Sequence, residues 1–132
     1  MKKITFIFLV FIGISFSSCS KDEIDTNTII GKWKLIEQLA DSGNGSGVFE
    51  PINSDKTLTF LDDGIVTTNS SLCNPYSEEQ ITDGTFSVKE NQIITNCKNS
   101  NIASIGFELK QGFLILNFTS NEGFSQKFKK IN

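Results

Sequence analysis

Two residue types are absent from this 132-residue chain: it has no histidine and no arginine. Without histidine, the commonest general base and the commonest zinc ligand are missing, and Ser-His-Asp and Cys-His catalysis are excluded. All twelve cations are lysines, set against 15 acidic residues, so the chain lacks the basic surface that nucleic-acid binding requires. We therefore expect no catalytic residues, no cofactor and no nucleic-acid partner, and predict that the protein is not an enzyme.

The N-terminus is a short apolar segment that ends at a cysteine. Two lysines precede an almost uninterrupted apolar run over residues 4–16, which has the length of a signal-peptide core and is too short to span a bilayer. The stretch Phe16-Ser17-Ser18-Cys19 resembles the lipobox of bacterial lipoproteins, in which the cysteine is lipidated and becomes the first mature residue. The resemblance implies a signal peptide at 1–18 and acyl chains on Cys19 that enter the lipid bilayer. The alternative is an ordinary signal peptide that happens to contain a cysteine.

A short charged segment follows this cysteine. Lys21-Asp22-Glu23 resembles a signal that, in some Gram-negative bacteria, directs lipoproteins to the outer face of the outer membrane. The simpler interpretation is that residues 19–28 form a solvated tether. We expect a lipid-anchored protein of the bacterial outer membrane, and cell-surface exposure and the periplasmic face both stay open.

Two further cysteines, Cys73 and Cys97, remain once Cys19 is lipidated. Two cysteines in an exported chain indicate one disulfide. A metal site is the alternative, but two thiols without histidine or a CxxC spacing make a poor zinc site. We therefore predict a disulfide and no metal.

From residue 29 to residue 132 the chain alternates between strand patterns and turn signals, with no convincing helix. Such a chain folds as a sandwich or as a closed up-and-down barrel, and closure removes exposed strand edges. We predict an all-β domain, an eight-stranded antiparallel up-and-down β-barrel. Its predicted strands are Ile30–Leu39, Thr57–Leu61, Ile65–Asn69, Gly84–Val88, Gln92–Cys97, Ser104–Lys110, Phe113–Thr119 and Phe124–Ile131.

The lengths of the connections predict which of them lie together. In an up-and-down barrel alternate connections lie at alternate ends, so the tight turns near Gly64, Asn91 and Gly112 share one end with both termini of the domain. The long connections, including Ala40–Lys56 and Ser70–Asp83, share the other end. Both cysteines of the predicted disulfide belong to that loop-rich end.

Three short motifs resemble a known family. Gly31-Lys32-Trp33 opens the first strand, Asp63-Gly64 follows a Thr-Leu-Thr-Phe strand, and Phe128-Lys129-Lys130-Ile131 closes the last one. Together they resemble the lipocalin-like domains of small bacterial lipoproteins over residues 29–132. In lipocalins a cation of the final strand packs across the first-strand tryptophan, which implies that Gly31, Trp33 and Lys130 close the bottom of the barrel.

The resemblance implies binding but identifies no ligand, and two classes of function stay open. One is a small apolar or amphipathic ligand at the barrel mouth, and the other is a protein partner, with the chain acting as a hydrolase inhibitor or as an accessory subunit with a filled barrel. Glu37 shares its alternation face with Trp33 and is a candidate inward contact, unless its strand has already reached solvent there. Phe49 and Tyr76 are candidate contacts on the long connections. We expect a monomer.

Overall fold

The computed structural model describes residue 25 and residues 27–98, 104–119 and 123–132. In this part of the chain no helix is long and apolar enough to cross a membrane. The predicted signal peptide, the lipidated Cys19 and the Lys21-Asp22-Glu23 signal lie outside the described residues. The described strands are β1 (Gly31–Ala40), β2 (Glu50–Pro51), β3 (Thr57–Phe60), β4 (Ile65–Thr68), β5 (Asp83–Ser87), β6 (Gln92–Ile94), β7 (Ser104–Lys110), β8 (Phe113–Phe118) and β9 (Phe124–Ile131).

The sheet closes on itself. From β3 to β9 each strand pairs antiparallel with the next, and β1 pairs with β3 on one edge and with β9 on the other. The closing pair runs from Lys32 opposite Ile131 to Ala40 opposite Phe124. The predicted eight-stranded antiparallel up-and-down barrel is therefore confirmed, and none of its eight strands keeps a free edge.

The long connection after β1 contains a short strand that the sequence did not predict. β2 pairs with Glu37 and Gln38, on the edge of β1 that β3 uses further down at Gly31–Lys34. Between them the N–H of Leu35 donates to the carbonyl of Lys56 at 3.0 Å. The segment from β2 to β3 thus follows one edge of β1 and extends the barrel wall at the loop-rich end.

Alternating side chains fill the interior. Trp33, Phe60 and Phe128 are the largest fully buried side chains, and the ring of Phe60 packs edge-on against Phe86 with centroids 5.0 Å apart. We call the end with the tight turns the closed end and the end with the long connections the open end. The rest of the buried cluster consists of Ile29, Leu35, Leu58, Val66, Leu72, Ile93, Ile105, Phe107, Leu114, Leu116, Phe118 and Phe124.

Candidate functional site

The closed end is sealed by the tryptophan and the lysine that the family resemblance predicts there. Trp33 lies opposite Lys130, whose Nζ is 5.2 Å from the indole centroid. The indole Nε1 donates to the carbonyl of Ile29 at 2.8 Å. The ammonium of Lys130 donates to the carbonyls of Asp25 and Thr28, the latter at 2.7 Å. Asp25 and Asn27–Ile30, the N-terminal strap, are thereby held to the barrel.

Gly31 is required at this end by backbone geometry and by space. Its φ of +123° lies in the region that glycine tolerates best, and a Cβ there would lie 2.8 Å from Cε of Lys130. Burial lowers the pKa of Lys130, and the charge of Asp25 opposes that shift. The structure thus brings Gly31, Trp33 and Lys130 together at the closed end, where the indole N–H and the ammonium both have hydrogen-bond acceptors.

Glu37 does not point inward as its alternation with Trp33 predicts. The register between β1 and β9 shifts between Leu35 and Glu37, where β1 has one residue more than β9. Beyond this bulge each side chain of β1 points to the face opposite the one that simple alternation predicts. Glu37 lies opposite Lys127 on the outer face, and its carboxylate accepts a hydrogen bond from Lys127 Nζ at 2.9 Å. The inward expectation is wrong, and a role for Glu37 as a partner contact stays a prediction.

Phe49 lies near the same outer-face lysine. The Nζ of Lys127 is 4.5 Å from the ring centroid of Phe113 and 5.6 Å from that of Phe49. The connection after β1 therefore packs Phe49 against the outer wall. Its role as a ligand or partner contact stays a prediction.

Tyr76 lies at the open end and is 77% exposed. Its ring packs edge-on against Phe124, with centroids 5.6 Å apart. This contact places an accessible aromatic ring where β9 begins, and its use as a ligand contact stays a prediction.

The predicted disulfide is present at the open end. Cys73 and Cys97 are bonded, with Cα atoms 5.9 Å apart. The bond joins the connection after β4 to the segment after β6, as the up-and-down strand order requires. The carboxylate of Glu79 lies close to both sulfurs, but it accepts the N–H of Lys98 at 3.0 and 3.2 Å. With both sulfurs in a disulfide, this cluster does not offer thiolates to a metal.

A cleft of about 320 Å³ opens at this end, the mouth cleft. The buried Leu35 contributes apolar surface to it, and its wall is formed mainly by hydroxyl and amide side chains. An adjoining cleft of about 310 Å³ shares Gln38 and Ile52 with it and is bounded by the glycine-rich connection after β1. The mouth cleft is lined by Leu35, Gln38, Ile52, Asn53, Ser54, Lys56, Ser70, Ser71, Cys73, Asn74, Pro75, Ser77, Gln80 and Gln126.

Lys56 is the one charged side chain among these lining residues. Its Nζ donates to Oε1 of the buried Gln126 at 3.1 Å. Within the described ranges no carboxylate lies within 4.0 Å of this ammonium, since the ion pairs there are those of Lys34 with Asp55 and of Lys127 with Glu37. Burial lowers the pKa of Lys56 to about 8, because the charged form loses solvation that no counter-ion replaces.

Sequence reasoning missed Lys56 and Gln126, although a signal for both exists. Lys56 precedes Leu58 and Phe60 at a spacing of two, and those two side chains fill the core. Gln126 lies between the buried Phe124 and Phe128 at the same spacing. Because side chains alternate along a strand, this spacing places both polar residues on the inner face.

The glycine-rich connection is organised by one carboxylate. Asp41 accepts the backbone N–H groups of Gly43, Asn44, Gly45 and Gly47 at 2.9–3.1 Å. These hydrogen bonds lower the pKa of Asp41, and the bond from Gly47 contributes most. Burial raises the pKa, but by less than the bonds lower it. The connection that bounds the adjoining cleft thus has an ordered backbone despite its composition.

A closed eight-stranded up-and-down barrel with one sealed and one open end defines a class of small binding proteins. The family model of the lipocalin-like domain matches residues 29–116, and the chain belongs to this family. Proteins of this kind are generally binding proteins rather than enzymes. No curated protein and no solved structure matches the chain.

Proposed function

We propose that this chain is a lipoprotein of the bacterial outer membrane whose lipocalin-like domain binds a small amphipathic ligand in the mouth cleft. Residues 1–18 are the signal peptide, 19–28 the tether acylated at Cys19, and 29–132 the binding domain. The protein acts as a monomer and is not an enzyme.

The mouth cleft carries this proposal. Its volume of about 320 Å³ falls in the range of small-molecule sites, and it combines a few apolar contacts with many polar ones. Below it, Trp33, Phe60 and Phe128 fill the barrel, so a wholly apolar molecule has no interior to enter. A ligand with a small apolar part against Leu35 and Ile52 and a polar part against the amides and hydroxyls fits this shape.

Native mass spectrometry of the protein purified from its own host tests the proposal. Wild type should retain a small molecule, and Ser70→Trp, which places a large ring at the exposed rim of the cleft, should lose it. Thr85→Trp is the matched control, because Thr85 is an exposed strand residue that lines neither cleft. Retention by Ser70→Trp equal to that of wild type and Thr85→Trp would reject the mouth cleft as the site.

The anchor has its own test. Cys19→Ala should leave the protein unprocessed or release it from the membrane, since stable anchoring needs more than one acyl chain. Unchanged membrane partitioning would reject the lipoprotein proposal. Changing Lys21, Asp22 and Glu23 together to Ala should retain the protein inside the cell with acylation intact. Equal removal of both proteins by protease treatment of whole cells would reject surface export.

The anchor and the cleft lie at opposite ends in this proposal. The N-terminal strap is bound at the closed end by Lys130. A tether of about ten residues spans at most ~35 Å when extended. The closed end therefore faces the membrane, and the mouth cleft faces away from it.

A second candidate, docking of a protein partner on the outer wall, has one observation in its favour. Ile65 and Ile94 both lie opposite Thr85 on neighbouring strands and are 39% and 48% exposed. Leu61 and Val88, which lie nearer the closed end, are 40% and 61% exposed. If a partner docks there, Ile94→Lys should shift the detergent-solubilised protein to a smaller species on native gels, and Ser70→Trp should not. Unchanged migration of Ile94→Lys would reject this candidate.

A further inference from the structure

We infer that the mouth cleft binds the carboxylate or phosphate group of a small organic anion, with the ammonium of Lys56 as the charged contact and Gln126 beside it. This inference rests on the proposed function, because it names the chemistry of the ligand that the cleft holds. It excludes neutral and cationic ligands from the same place.

The charges around the cleft support an anion. Of the described residues that line it, Lys56 alone carries a charge, and no carboxylate of the described chain lies within ion-pair distance. A partly buried ammonium without a counter-ion costs free energy. An anionic ligand would provide that counter-ion, whereas a cation would add repulsion.

Hydrogen-bond donors beside Lys56 also support an anionic ligand. The Oε1 atom of Gln126 accepts from Lys56, and the Oδ1 atom of Asn74 accepts from the N–H of Tyr76 at 2.9 Å. The amide nitrogens of both side chains and two of the three ammonium hydrogens donate no hydrogen bond among the described residues, so they are donors available to a ligand. Donors of this kind suit the oxygen atoms of a carboxylate or phosphate.

The shape of the barrel limits the size of the anion. Leu35 lines the cleft and belongs to the buried cluster that fills the barrel. A long acyl chain therefore has no channel to occupy. The ligand is a compact anion whose apolar part, if it has one, is small enough to pack against Leu35 and Ile52 within the cleft.

Binding should depend on pH in a defined direction. No other lining residue of the described cleft titrates, since its one cysteine is in the disulfide. Lys56, with a pKa of about 8, is charged at pH 7 and largely neutral at pH 10. The affinity for a stable anion should fall about tenfold per pH unit above the pKa of the lysine in the ligand-free protein, until the pH reaches the higher pKa of the ligand-bound lysine.

The test uses the processed protein in phosphatidylcholine nanodiscs and four probes: hexanoate, inorganic phosphate, hexanamide and hexylamine. Titration at pH 7 is followed by the NMR shifts of the side-chain amides of Gln126 and Asn74. At least one of hexanoate and phosphate should shift both amides in a saturable way, and the stronger of the two identifies a carboxylate or a phosphate as the preferred group. Hexanamide and hexylamine should not. Saturation by hexanamide as strong as by hexanoate, or no saturation by either anion, would overturn the inference.

Three variants localise the effect. Lys56→Met removes the charge at similar length and should weaken anion binding at least tenfold, while Lys56→Arg should retain it. Lys34→Met is the matched control: Lys34 pairs with Thr57, next to Lys56, but its side chain reaches Asp55 on the outer face. Equal binding by Lys56→Met and Lys34→Met would overturn the inference.

Failure here differs from failure of the proposed function. A neutral molecule retained by wild type, lost by Ser70→Trp and kept by Lys56→Met would leave the mouth cleft as the binding site and remove the anion from it. Retention by Ser70→Trp would remove the site itself.

Discussion

The two ends of the barrel each contain an inward-facing lysine, and the two lysines have opposite surroundings. At the closed end the ammonium of Lys130 contacts two backbone carbonyls and lies over the ring of Trp33. At the open end Lys56 contacts a single amide oxygen and otherwise adjoins a cleft. Burial lowers the pKa of both lysines.

This difference separates a structural cation from one suited to binding. Where protein groups satisfy a buried ammonium, its hydrogen bonds hold the N-terminal strap and close the barrel. Where they leave it without a counter-ion, the same ammonium lowers stability and gains from a ligand of opposite charge. A barrel with one end of each kind is stable at one end and able to bind at the other.

The largest expected effect is the loss of the closed end. Trp33→Ala removes the largest fully buried side chain and should lower the free energy of unfolding by about 3–5 kcal/mol, because a cavity is left in a packed core. Urea denaturation measures it. Trp33→Phe, which keeps a ring but loses the bond to Ile29, should cost less; equal losses would show that the ring contributes nothing beyond its hydrogen bond.

Removal of the disulfide should loosen the open end selectively. Changing Cys73 and Cys97 together to Ser releases a bridge between residues 24 apart and should cost about 3 kcal/mol. Hydrogen exchange should accelerate most in the connection between β4 and β5. Acceleration around Trp33 and Lys130, at the closed end, equal to that in this connection would show that the two ends do not unfold separately.

The two lysines should respond to the same substitution with opposite signs. At pH 7 Lys56→Met should raise the free energy of unfolding by about 1–2 kcal/mol, because an unpaired, partly buried charge is removed. Lys130→Met should lower it, because the carbonyls of Asp25 and Thr28 lose their donor. Thermal and urea unfolding of both variants beside wild type measures the contrast, and a change of the same sign in both would break it.

The pH dependence of the Lys56 variant gives a sharper form of this test. Between pH 8 and pH 10.5 the unfolded chain holds the Lys56 proton more tightly than the folded chain does. The stability of wild type relative to Lys56→Met should therefore rise through this window and stay constant below it. A difference that is the same at pH 7 and pH 10 would show that the ammonium is not desolvated in the folded state.

The smallest effect is expected in the loop beside the adjoining cleft. Asp41→Ala removes the acceptor for four backbone N–H groups and should accelerate amide exchange over Gly43–Gly47, with little change in global stability. Because the pKa of Asp41 is lowered, wild type should keep this loop order at pH 4 and lose it as the pH falls below the ordinary value of 3.8. Amide exchange in this loop as slow in Asp41→Ala as in wild type would contradict this role.

Much of the fold follows from local pattern. Alternating apolar residues between turn signals predict the eight strands, and the pairing of short with long connections predicts which end carries Cys73 and Cys97. The resemblance adds the contact between Trp33 and Lys130. These features depend on side-chain period and turn chemistry, which are properties of short segments.

The candidate site depends on the tertiary structure. Whether Glu37 points in or out is decided by a register shift against β9, some 90 residues away, and alternation within β1 contains no sign of that shift. Local pattern places Lys56 and Gln126 on inner faces, but only the closed barrel joins them across 70 residues and leaves the ammonium without a counter-ion. The sequence by itself therefore determined the strands, the barrel and the disulfide, while the tertiary structure decided the cleft and its charge, because solvation and counter-ions depend on residues distant in the chain.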